Sequence, residues 1–509
     1  MIRRRRAGIA LPLFSIPSRQ SWGIGEIGDL SAIVKWMHAA GQSVLQVLPL
    51  NELAPGETSP YSALSAMAID PQFISIWMLD NGGELEEMNR DEIDALRHEP
   101  RIDYRRVRDL KMRVLRGCFD RFYEHEWRPG TLKAAALRWF IHREEWWLSD
   151  YSLYRAIRAR EGERPWSEWP EPLRDRHSLA LVDSAEELSQ EILFRQYIQW
   201  IADDQWQAAR QTVDGIKILG DFQFMVTRDS ADVWSRRDEF LLHAQVGTPP
   251  DAFSETGQEW GLPPYNWHQV RANNFEWLRL RARRMTELYD GFRIDHLVGF
   301  YRTYVRPLDG SPPYFFPPDQ PEQLALGESF VGVMLQTGAD ITAEDLGTVP
   351  KFVRRSIEKL GVPGYKVLRW EVDSPPEYPP LSVAMTGTHD TEALAVWWES
   401  LTPDEQQRFG IESAVFTPAV RDFLIVLMFN AGSNLVLLPL QDVFGWRDRI
   451  NLPASTSEAN WTYVLPWPVD RMLSEPEAVE RAERLSEWTY RTGRWIPNDY
   501  KSVLASTEL

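Results

Sequence analysis

The sequence predicts an α/β protein built around a closed barrel of eight parallel strands. Short apolar runs rich in β-branched residues alternate with much longer amphipathic stretches, which is the pattern of parallel strands joined by crossover helices. Eight such runs favour a (β/α)8 TIM barrel over an open sheet, and a chain of 509 residues is long enough for one large barrel with insertions. The predicted strands cover residues 8–14, 43–50, 216–226, 291–297, 340–346, 365–370, 383–388 and 434–440.

Two insertions are predicted on this single barrel, which we expect to span residues 1–509. The stretch between the second and third strands has helical periodicity and many Trp residues. It is too long for a loop, so we expect residues 75–215 to form a helical subdomain. Residues 245–275 are rich in Pro and Gly and predict a structured loop insertion over the C-terminal face of the barrel. Phe253, Gln258 and Trp260 of this loop are candidate ligand contacts, with a rigid connector as the alternative interpretation.

The composition excludes several functional classes. With 74 acidic and 56 basic residues, the formal net charge is −18, which repels nucleic acids and anionic membrane surfaces. No segment reaches the ~18 to 20 apolar residues needed to cross a bilayer. The basic N-terminus and the apolar run after it resemble a signal peptide, but Pro12 interrupts the run and no Ala-x-Ala-like cleavage site follows, so we interpret this run as the first strand. A single cysteine, Cys118, cannot form an internal disulfide, and we expect a cytoplasmic protein.

Aromatic residues are unusually frequent, with 23 Trp in the chain. Aromatic faces stack well on sugar rings, whose C–H edges are apolar and whose hydroxyl groups need polar neighbours. For most of these Trp residues, however, packing in the core and between subdomains is the favoured interpretation.

Polar residues that can carry chemistry stand in or directly after five of the predicted strands. Because the C-terminal ends of barrel strands converge on one face, we expect these groups to share one pocket although they are far apart in the sequence. They are Asp221, residues 293–296, residues 343–345, residues 388–390 and residues 441–442.

Asp295 and Glu344 suit the two roles that cleavage of a glycosidic bond requires. One carboxylate must attack or stabilise the anomeric carbon, and one carboxylic acid must protonate the leaving oxygen. The two residues end the fourth and fifth predicted strands, and neighbouring strands are ~5 Å apart, which favours retention through a covalent intermediate. Asp390 fits a third role in binding sugar hydroxyls and stabilising positive charge, and Arg293 is placed to keep Asp295 ionised. Taken one at a time, these groups also fit a surface ion pair, a helix cap or a chance dipeptide.

Other chemistries lack their sequence signatures. The sequence contains no Gly-x-Ser-x-Gly elbow, Walker-type phosphate loop or His-Glu-x-x-His helix. Residues 23–28 match the bare Gly-x-Gly-x-x-Gly spacing, but they follow a loop rich in Ser, Pro and Arg and precede one long helix. We therefore interpret this segment as a barrel loop that shapes the pocket floor.

Together these motifs resemble the amylomaltase or disproportionating-enzyme family, the 4-α-glucanotransferases of glycoside hydrolase family 77. The resemblance covers residues 8–461, and its specific pieces are residues 23–29, 59–62, 220–221, 229–234, 249–251, 257–261, 293–296, 343–347 and 387–390. It implies a retaining enzyme that transfers α-1,4-glucan segments between maltooligosaccharides, or starch- or glycogen-type glucans, without a metal or organic cofactor. It also implies Asp295 as nucleophile, Glu344 as general acid/base and Asp390 as transition-state stabiliser. The implied sugar-binding residues are Ser59, Tyr61, Asp221, Gln258, Trp260, Arg293, His296, His389 and Asn460.

The sequence departs from the family pattern at several positions outside the three carboxylates. Gln223, Leu262, Thr391 and Ala454 replace the usual residues, and Tyr463-Val464 replaces a second Trp-Arg. These changes concern acceptor binding, chain-length preference and the balance between transfer and hydrolysis. An α-glucan hydrolase with the same carboxylates and a non-catalytic glucan-binding protein are the alternative hypotheses. The sequence does not indicate an oligomeric state.

Overall fold

The computed structural model describes residues 4–213, 215–250, 257–411, 413–453, 455 and 457–495. Phe253 and Ala454, named above, lie outside these residues. In the described ranges, no helix combines the length and the apolar character that a membrane span needs.

Eight parallel strands close into a barrel, as the sequence predicts. The strands in the described residues are β1 (Arg6–Ala10), β2 (Val44–Gln46), β3 (Lys217–Phe222), β4 (Ala244–Thr248), β5 (Gln258–Glu259), β6 (Gly291–Ile294), β7 (Thr303–Pro307), β8 (Tyr314–Phe316), β9 (Asp340–Ala343), β10 (Gly364–Val367), β11 (Ser382–Met385) and β12 (Leu435–Pro439). The barrel order is β1-β12-β11-β10-β9-β6-β3-β2. Each predicted strand overlaps one barrel strand, so the (β/α)8 prediction is confirmed.

Alternate residues of the strands fill the barrel interior. Leu435 and Leu437 of β12 belong to a small buried cluster that draws residues from β2, β3, β10 and β11. Val436 and Leu438 belong instead to the large core shared with the surrounding helices. This division follows from the period of two along a strand, which sends successive side chains to opposite faces. The interior is therefore a packed core, and the open end of the barrel is where a pocket can form.

Helices surround the barrel, and eight of them lie between β2 and β3. The α-helices in the described residues are α1 (Leu30–Ala39), α2 (Gly82–Met88), α3 (Arg90–Arg97), α4 (Tyr104–Phe122), α5 (Leu132–Arg143), α6 (Glu145–Arg160), α7 (Glu171–Arg174), α8 (Ser178–Glu187), α9 (Ser189–Gln211), α10 (Ala231–Ser235), α11 (Trp267–Ala272), α12 (Glu276–Leu288), α13 (Gln320–Leu335), α14 (Lys351–Leu360), α15 (Leu394–Ser400), α16 (Pro403–Gln407), α17 (Pro418–Phe429), α18 (Leu440–Phe444) and α19 (Pro476–Arg491). α2 to α9 fill the segment for which the sequence predicts helices.

The helix α4 shows how the local sequence determines where a helix begins and which face it buries. Asp103 precedes it, and its side chain accepts a hydrogen bond from the Arg106 backbone N–H at 3.0 Å, which satisfies a free donor of the first turn. Val107, Leu110 and Val114 follow at helical spacing and are buried. The buried face of α4 attaches this helical region to the barrel.

The loop at residues 23–29 is part of that attachment. Glu26 is buried, accepts a hydrogen bond from the Trp22 backbone N–H at 2.8 Å, and pairs with the Lys111 ammonium of α4 at 2.6 Å. Lys111 also donates to the Ile74 carbonyl at 2.9 Å. A buried ion pair needs such additional hydrogen bonds to offset the loss of hydration. Glu26 thus joins this loop to the helical region.

A second sheet lies beside the open end of the barrel. Its order is β5-β4-β7-β8, and its strands pair antiparallel. β4 and β5 come from the segment after β3, whereas β7 and β8 come from the segment after β6. For residues 245–275 the sequence indicates only a Pro- and Gly-rich loop, since these short strands are held by partners distant in the chain. The sheet brings that segment next to the C-terminal ends of β3 and β6.

Candidate active site

Four barrel strands bring the predicted catalytic groups to the same face. Asp221 of β3 is the register partner of Arg293 in β6. Asp295 follows β6, Glu344 follows β9, and the last residues of these two strands are register partners. Asp390 lies in the turn after β11. These residues therefore lie at strand ends on one face of the barrel, as the sequence predicts.

Arg293 connects the three acidic groups nearest to it. Its Nη2 donates to Asp295 Oδ1 at 2.8 Å and to Glu344 Oε2 at 2.7 Å, while its Nη1 donates to Asp221. Because both oxygens contact one nitrogen, they lie at most about 5.5 Å apart, the combined length of the two contacts. Retaining glycosidases hold their two carboxyl groups ≈ 5–5.5 Å apart, whereas inverting enzymes need ≈ 6.5–9.5 Å to admit a water. For this pair of oxygens the bound lies below the inverting range, so the geometry favours the retaining arrangement.

Asp295 combines burial with access to a ligand. Burial raises the pKa of its carboxyl group, Arg293 opposes that rise, and Glu344 adds to it. The Asp295 and Glu344 side chains are each 19% exposed, against 5% for Arg293, so the carboxyl groups face open space and the guanidinium lies behind them. From the described residues, Oδ2 of Asp295 receives one hydrogen bond, a long contact of 3.4 Å from the Phe224 backbone N–H. Oδ2 is therefore the less engaged oxygen of the pair.

Tyr61 and Asp221 form a buried hydrogen-bonded pair beside Arg293. The Tyr61 hydroxyl donates to Asp221 Oδ2 at 2.8 Å and lies 3.2 Å from His389 Nε2, and the Tyr61 and His389 rings stack with centroids 5.6 Å apart. Burial raises the pKa of Asp221 to about 6, although Arg293 opposes the rise. Ser59 lies at the start of the Tyr61 loop, where its hydroxyl accepts a hydrogen bond from the Tyr61 backbone N–H at 3.3 Å.

Asp390 stays ionised because two neighbours bind its carboxylate. Asn451 Nδ2 donates to Oδ1 at 2.6 Å, and His389 Nε2 lies 3.4 Å from Oδ2. Burial acts to raise the pKa of Asp390, but these partners outweigh it and lower the pKa to about 2. Burial likewise acts to lower the pKa of His389, but Asp390 outweighs it and the pKa is raised. The pair presents a carboxylate, 44% exposed, on the open side of the pocket.

Gln258, Trp260 and His296 form the side of the pocket next to the second sheet. Trp260 Nε1 donates to Gln258 Oε1 at 3.2 Å, and the Trp260 and His296 rings meet edge to face with centroids 4.9 Å apart. Burial lowers the pKa of His296 to about 4, so this imidazole is neutral near pH 7. His296 has a left-handed backbone conformation, with φ of 44°, which directs its N–H to Glu344 Oε2 at 2.9 Å.

Asn460 lies apart from this cluster. Its side-chain amide bonds within its own loop, accepting from the Leu452 N–H at 3.0 Å and donating to the Ser455 carbonyl at 3.2 Å. The next residue, Trp461, has φ of 64° and packs its ring 5.8 Å from Tyr61. In the described ranges, Trp461 and Asn451 connect this loop to the cluster, and a sugar-binding role for Asn460 stays a prediction.

Sequence reasoning does not identify three residues that the structure adds to the site. Trp461 packs on Tyr61, and Asn451 binds Asp390, as described above. The third is Gln223, noted in the sequence only as a departure from the family pattern. Its Nε2 donates to the Pro60 carbonyl at 2.9 Å, within the loop that carries Tyr61. Asn451 and Trp461 lie in segments that can be compared with the family pattern, but the sequence gives neither residue a role, because loop geometry brings them to the pocket.

No group of three or more His, Cys, Asp or Glu side chains suited to a metal ion occurs in the described part of the chain. At the cluster of acids, the Arg293 guanidinium occupies the position between the carboxylates. Charge neutralisation at this point is thus supplied by a side chain.

One protein family matches nearly the whole chain. Residues 11–469 match the family model described as 4-alpha-glucanotransferase. The 4-alpha-glucanotransferase of Thermus thermophilus is 31% identical over 515 residues, covering 94% of this chain and 99% of that protein. The enzyme of the same name from Chlamydia pneumoniae is 32% identical over 487 residues, covering 90% of each chain.

Solved structures with the same architecture include two amylomaltases. The amylomaltase from Streptococcus agalactiae in complex with acarbose superposes with a TM-score of 0.82 at 25% identity, covering 97% of this chain and all of that one. The amylomaltase from Corynebacterium glutamicum gives a TM-score of 0.76 at 21% identity, covering 95% of this chain and 75% of that one, and supports the fold alone.

Proposed function

The chain belongs to the 4-alpha-glucanotransferase family, and from this premise we propose that Asp295, Glu344 and Asp390 carry out the transfer. The enzyme moves α-glucan segments by double displacement through a covalent glycosyl-enzyme. The observation that carries the residue assignment is the shared contact of Asp295 and Glu344 with one Arg293 nitrogen, which fits the carboxylate separation of retaining enzymes.

In the first step, Asp295 attacks the anomeric carbon of the donor sugar. We assign the attack to Oδ2, because Oδ1 is held by Arg293. Glu344 donates its proton to the glycosidic oxygen as the bond to the leaving chain breaks. Its Oε2 already accepts hydrogen bonds from Arg293 and from the His296 N–H, so the proton belongs on Oε1.

In the second step, the acceptor hydroxyl takes the place of the leaving chain. Glu344, now a carboxylate, removes the proton of that hydroxyl, and the freed oxygen attacks the anomeric carbon. The bond to Asp295 breaks, which restores its carboxylate. Asp390 supports both transition states, because its low pKa keeps it ionised beside the positive charge that develops on the sugar ring.

The remaining residues implied by the family resemblance supply binding surface around the carboxylates. Tyr61, Trp260 and His296 present rings or ring edges on two sides of Glu344 and Asp295. Asp221 and His389 offer polar groups that suit sugar hydroxyls, and Ser59 and Gln258 stand at the edges. We extend the sugar-binding assignment to these residues, to Arg293 and to Asn460.

We further propose maltooligosaccharides and starch- or glycogen-type glucans as substrates, within cytoplasmic maltodextrin or glycogen metabolism. The acarbose complex of the amylomaltase from Streptococcus agalactiae supports an α-glucan ligand. A single cysteine in the chain supports a reducing compartment. We also propose one catalytic barrel over residues 1–509, with a helical subdomain at 75–215 and an active-site insertion at 245–275.

Incubation of the purified protein with maltotriose tests the proposed function. We expect glucose and a ladder of maltooligosaccharides longer than maltotriose, and we expect Glu344→Gln to form both ~10² to 10⁴-fold more slowly. Shortening of maltotriose without longer products would identify a hydrolase and contradict transfer. Equal product formation by wild type and Glu344→Gln would contradict the assignment of the acid/base.

A further inference from the structure

The turn that carries Asp390 is closed at its base by one buried carboxylate. This segment, residues 386–394, runs from the end of β11 to the first residue of α15 and is called the Asp390 turn. Asp442 lies in α18, directly after β12, and is buried. Its Oδ2 accepts a hydrogen bond from the Thr386 hydroxyl at 2.6 Å, and its Oδ1 accepts one from the Leu394 backbone N–H at 2.7 Å. One side chain therefore joins both ends of the turn.

A buried cation after β10 holds the Asp390 turn from the other side. The guanidinium of Arg369 donates from Nε to the Thr386 carbonyl at 3.3 Å and from Nη2 to the Glu392 carbonyl at 3.0 Å. Its Nη1 also pairs with the Glu392 carboxylate at 2.8 Å. A Cβ atom on Gly387 would lie 2.8 Å from Arg369 Nη2, so the guanidinium packs directly against the backbone of the turn. Because the barrel order is β12-β11-β10, the turn is held from both strands that flank it.

Asp442 and Arg369 bring opposite charges into the protein interior. Burial raises the pKa of the Asp442 carboxyl, and its two hydrogen bonds and the charge of Arg369 oppose that rise. Buried ion pairs are costly, and apolar side chains of similar volume often stabilise a core equally well. Apolar side chains cannot, however, make directional hydrogen bonds to both ends of a turn. The two charges are therefore better explained by the position that they fix than by the stability that they add.

A displacement at the base of the Asp390 turn would be transmitted to the Asp390 carboxylate. Asp390 lies four residues after Thr386. Within the turn, the Thr391 hydroxyl accepts a hydrogen bond from the Thr388 N–H at 3.0 Å and donates one to the Thr388 carbonyl at 3.0 Å. These contacts make residues 388–391 a compact unit that follows its base. A misplacement of ~1 Å at a reacting group can cost ~10²-fold in rate.

We propose that Asp442, supported by Arg369, is a positioning residue for Asp390. The inference rests on the proposed role of Asp390 as transition-state stabiliser. Both residues are buried and act without touching the sugar, because they fix the base of the turn from which the Asp390 carboxylate reaches the pocket. Their loss should lower kcat rather than raise KM, since the contact of Asp390 with developing positive charge is made in the transition state.

Thr386 offers the sharpest test, because its hydroxyl and its methyl group can be removed separately. Thr386→Val retains the volume of this fully buried side chain but removes the hydroxyl that binds Asp442, whereas Thr386→Ser retains the hydroxyl. With maltotriose, Thr386→Val should lower kcat roughly tenfold at a nearly unchanged KM, and Thr386→Ser should stay within about twofold of wild type. A packing role would give the reverse order. Thr489→Val removes a buried hydroxyl from α19 and is the matched control, with kcat and KM unchanged.

Two further variants show whether the effect passes through Asp390. Asp442→Asn keeps an acceptor for the Leu394 N–H but exchanges the other oxygen for an amide nitrogen, and should lower kcat as Thr386→Val does. In the Asp390→Ala background no carboxylate is left to be positioned. Thr386→Val should therefore not slow the initial release of fluoride from maltosyl fluoride any further in that background.

The outcomes separate this inference from the proposed function. A wild-type kcat in Thr386→Val, a larger loss in Thr386→Ser, or a full additional loss in the Asp390→Ala background would overturn the positioning role. The ladder from maltotriose and the low activity of Asp390→Ala would still stand in those cases. A wild-type kcat in Asp390→Ala would instead overturn the catalytic role of Asp390, and the positioning role with it. Melting curves of all variants check that each loss of kcat occurs in folded enzyme.

Discussion

Asp295 Oδ1 and Glu344 Oε2 receive hydrogen bonds from the same nitrogen, Nη2 of Arg293, at 2.8 Å and 2.7 Å. The Arg293 guanidinium thereby limits the distance between these two oxygens and places one positive charge next to both carboxyl groups. Asp295 Oδ2, which has a long contact with the Phe224 N–H, and Oε1 of Glu344 are left for the chemistry. Arg293 is thus expected to influence both the geometry of the site and its pH dependence.

Replacement of Arg293 should displace the acid limb of the pH profile. Burial raises the pKa of Asp295 and Arg293 lowers it, so loss of the cation raises it further. Asp295 must be ionised to attack, and Arg293→Gln should therefore lose activity at a higher pH than wild type as the solution is acidified. Arg293→Lys retains a charge but not the planar donor pair, so it should shift the limb less while still lowering kcat by ~10² to 10³-fold.

The measurement is kcat/KM against pH for maltotriose. Arg447→Gln, at an exposed ion pair with Glu399, is the control for loss of one positive charge. An acid limb at the same pH in Arg293→Gln and wild type would contradict the proposed electrostatic role.

The activity of Glu344→Gln should depend strongly on the leaving group of the donor. With maltotriose, loss of the acid should lower kcat by ~10² to 10⁴-fold. A maltosyl fluoride donor releases fluoride without protonation. The rate of the first step in Glu344→Gln should therefore largely recover with this donor. The second step still lacks its base, and a maltosyl adduct on Asp295 should accumulate and be detectable by peptide mass spectrometry. Glu358→Gln, an exposed change on α14, is the control, and equal losses with both donors would refute the acid role.

Much of this site follows from the sequence because strand ends are recognisable locally. The apolar runs mark β3, β6, β9 and β11, and barrel geometry then brings their terminal residues together. The second sheet is harder to recognise, since β4 pairs with β7, about 60 residues away by their register, and β5 has two residues. Such pairings are set by tertiary contacts rather than by local propensity.

The loop after β12 shows most clearly which features of the site the sequence does not predict. The family resemblance directs attention to Asn460, but the amide that binds Asp390 belongs to Asn451. Trp461 reaches Tyr61 because its φ is 64°, a left-handed conformation that a bulky residue rarely adopts. Nothing in the local pattern predicts that conformation, which is fixed by the surrounding contacts. The family resemblance therefore locates the loop, and only the structure shows which side chains face the pocket.

Asp29 should make stability depend on pH well away from the active site. Burial raises the pKa of its carboxyl group from 3.8 to about 7, and Glu26 adds to the rise. Between about pH 4 and 7 the unfolded chain has released a proton that the folded chain still holds, so this group's contribution to stability falls as the pH rises. Asp29→Asn does not titrate, and its oxygen can still accept from the Ser21 hydroxyl and the Glu26 N–H.

The free energy of unfolding of Asp29→Asn minus that of wild type should therefore be larger at pH 8 than at pH 4.5, by up to about 3 kcal/mol. Urea denaturation at the two pH values measures this difference. Asp91→Asn, an exposed change on α3, should show no such trend. A relative stability of Asp29→Asn that does not vary with pH would show that this carboxyl is ionised in the folded protein.

Gln223 should act on sugar binding through the loop that carries Tyr61. Its amide donates to the Pro60 carbonyl at 2.9 Å and to Asn51 Oδ1 at 3.2 Å, so it holds that loop against the end of β3. Gln223→Met retains the length of the side chain but removes both donors, which leaves the buried Pro60 carbonyl without this partner. A loosened loop moves Tyr61 away from Asp221 and His389. We expect the KM for maltotriose to rise roughly fivefold to tenfold, with a smaller fall in kcat, since the carboxylates keep their own contacts.

Gln190→Met, at an exposed position on α9, is the matched control for the side-chain change. Steady-state kinetics should be accompanied by a melting curve, because a simple loss of packing would lower the melting temperature and the amount of active enzyme without changing KM. An increase in KM that is confined to Gln223→Met identifies a positioning role for this residue. Equal KM values in the two variants would mean that the Tyr61 loop is held without the Gln223 amide, by its contacts with Asp221, His389 and Trp461.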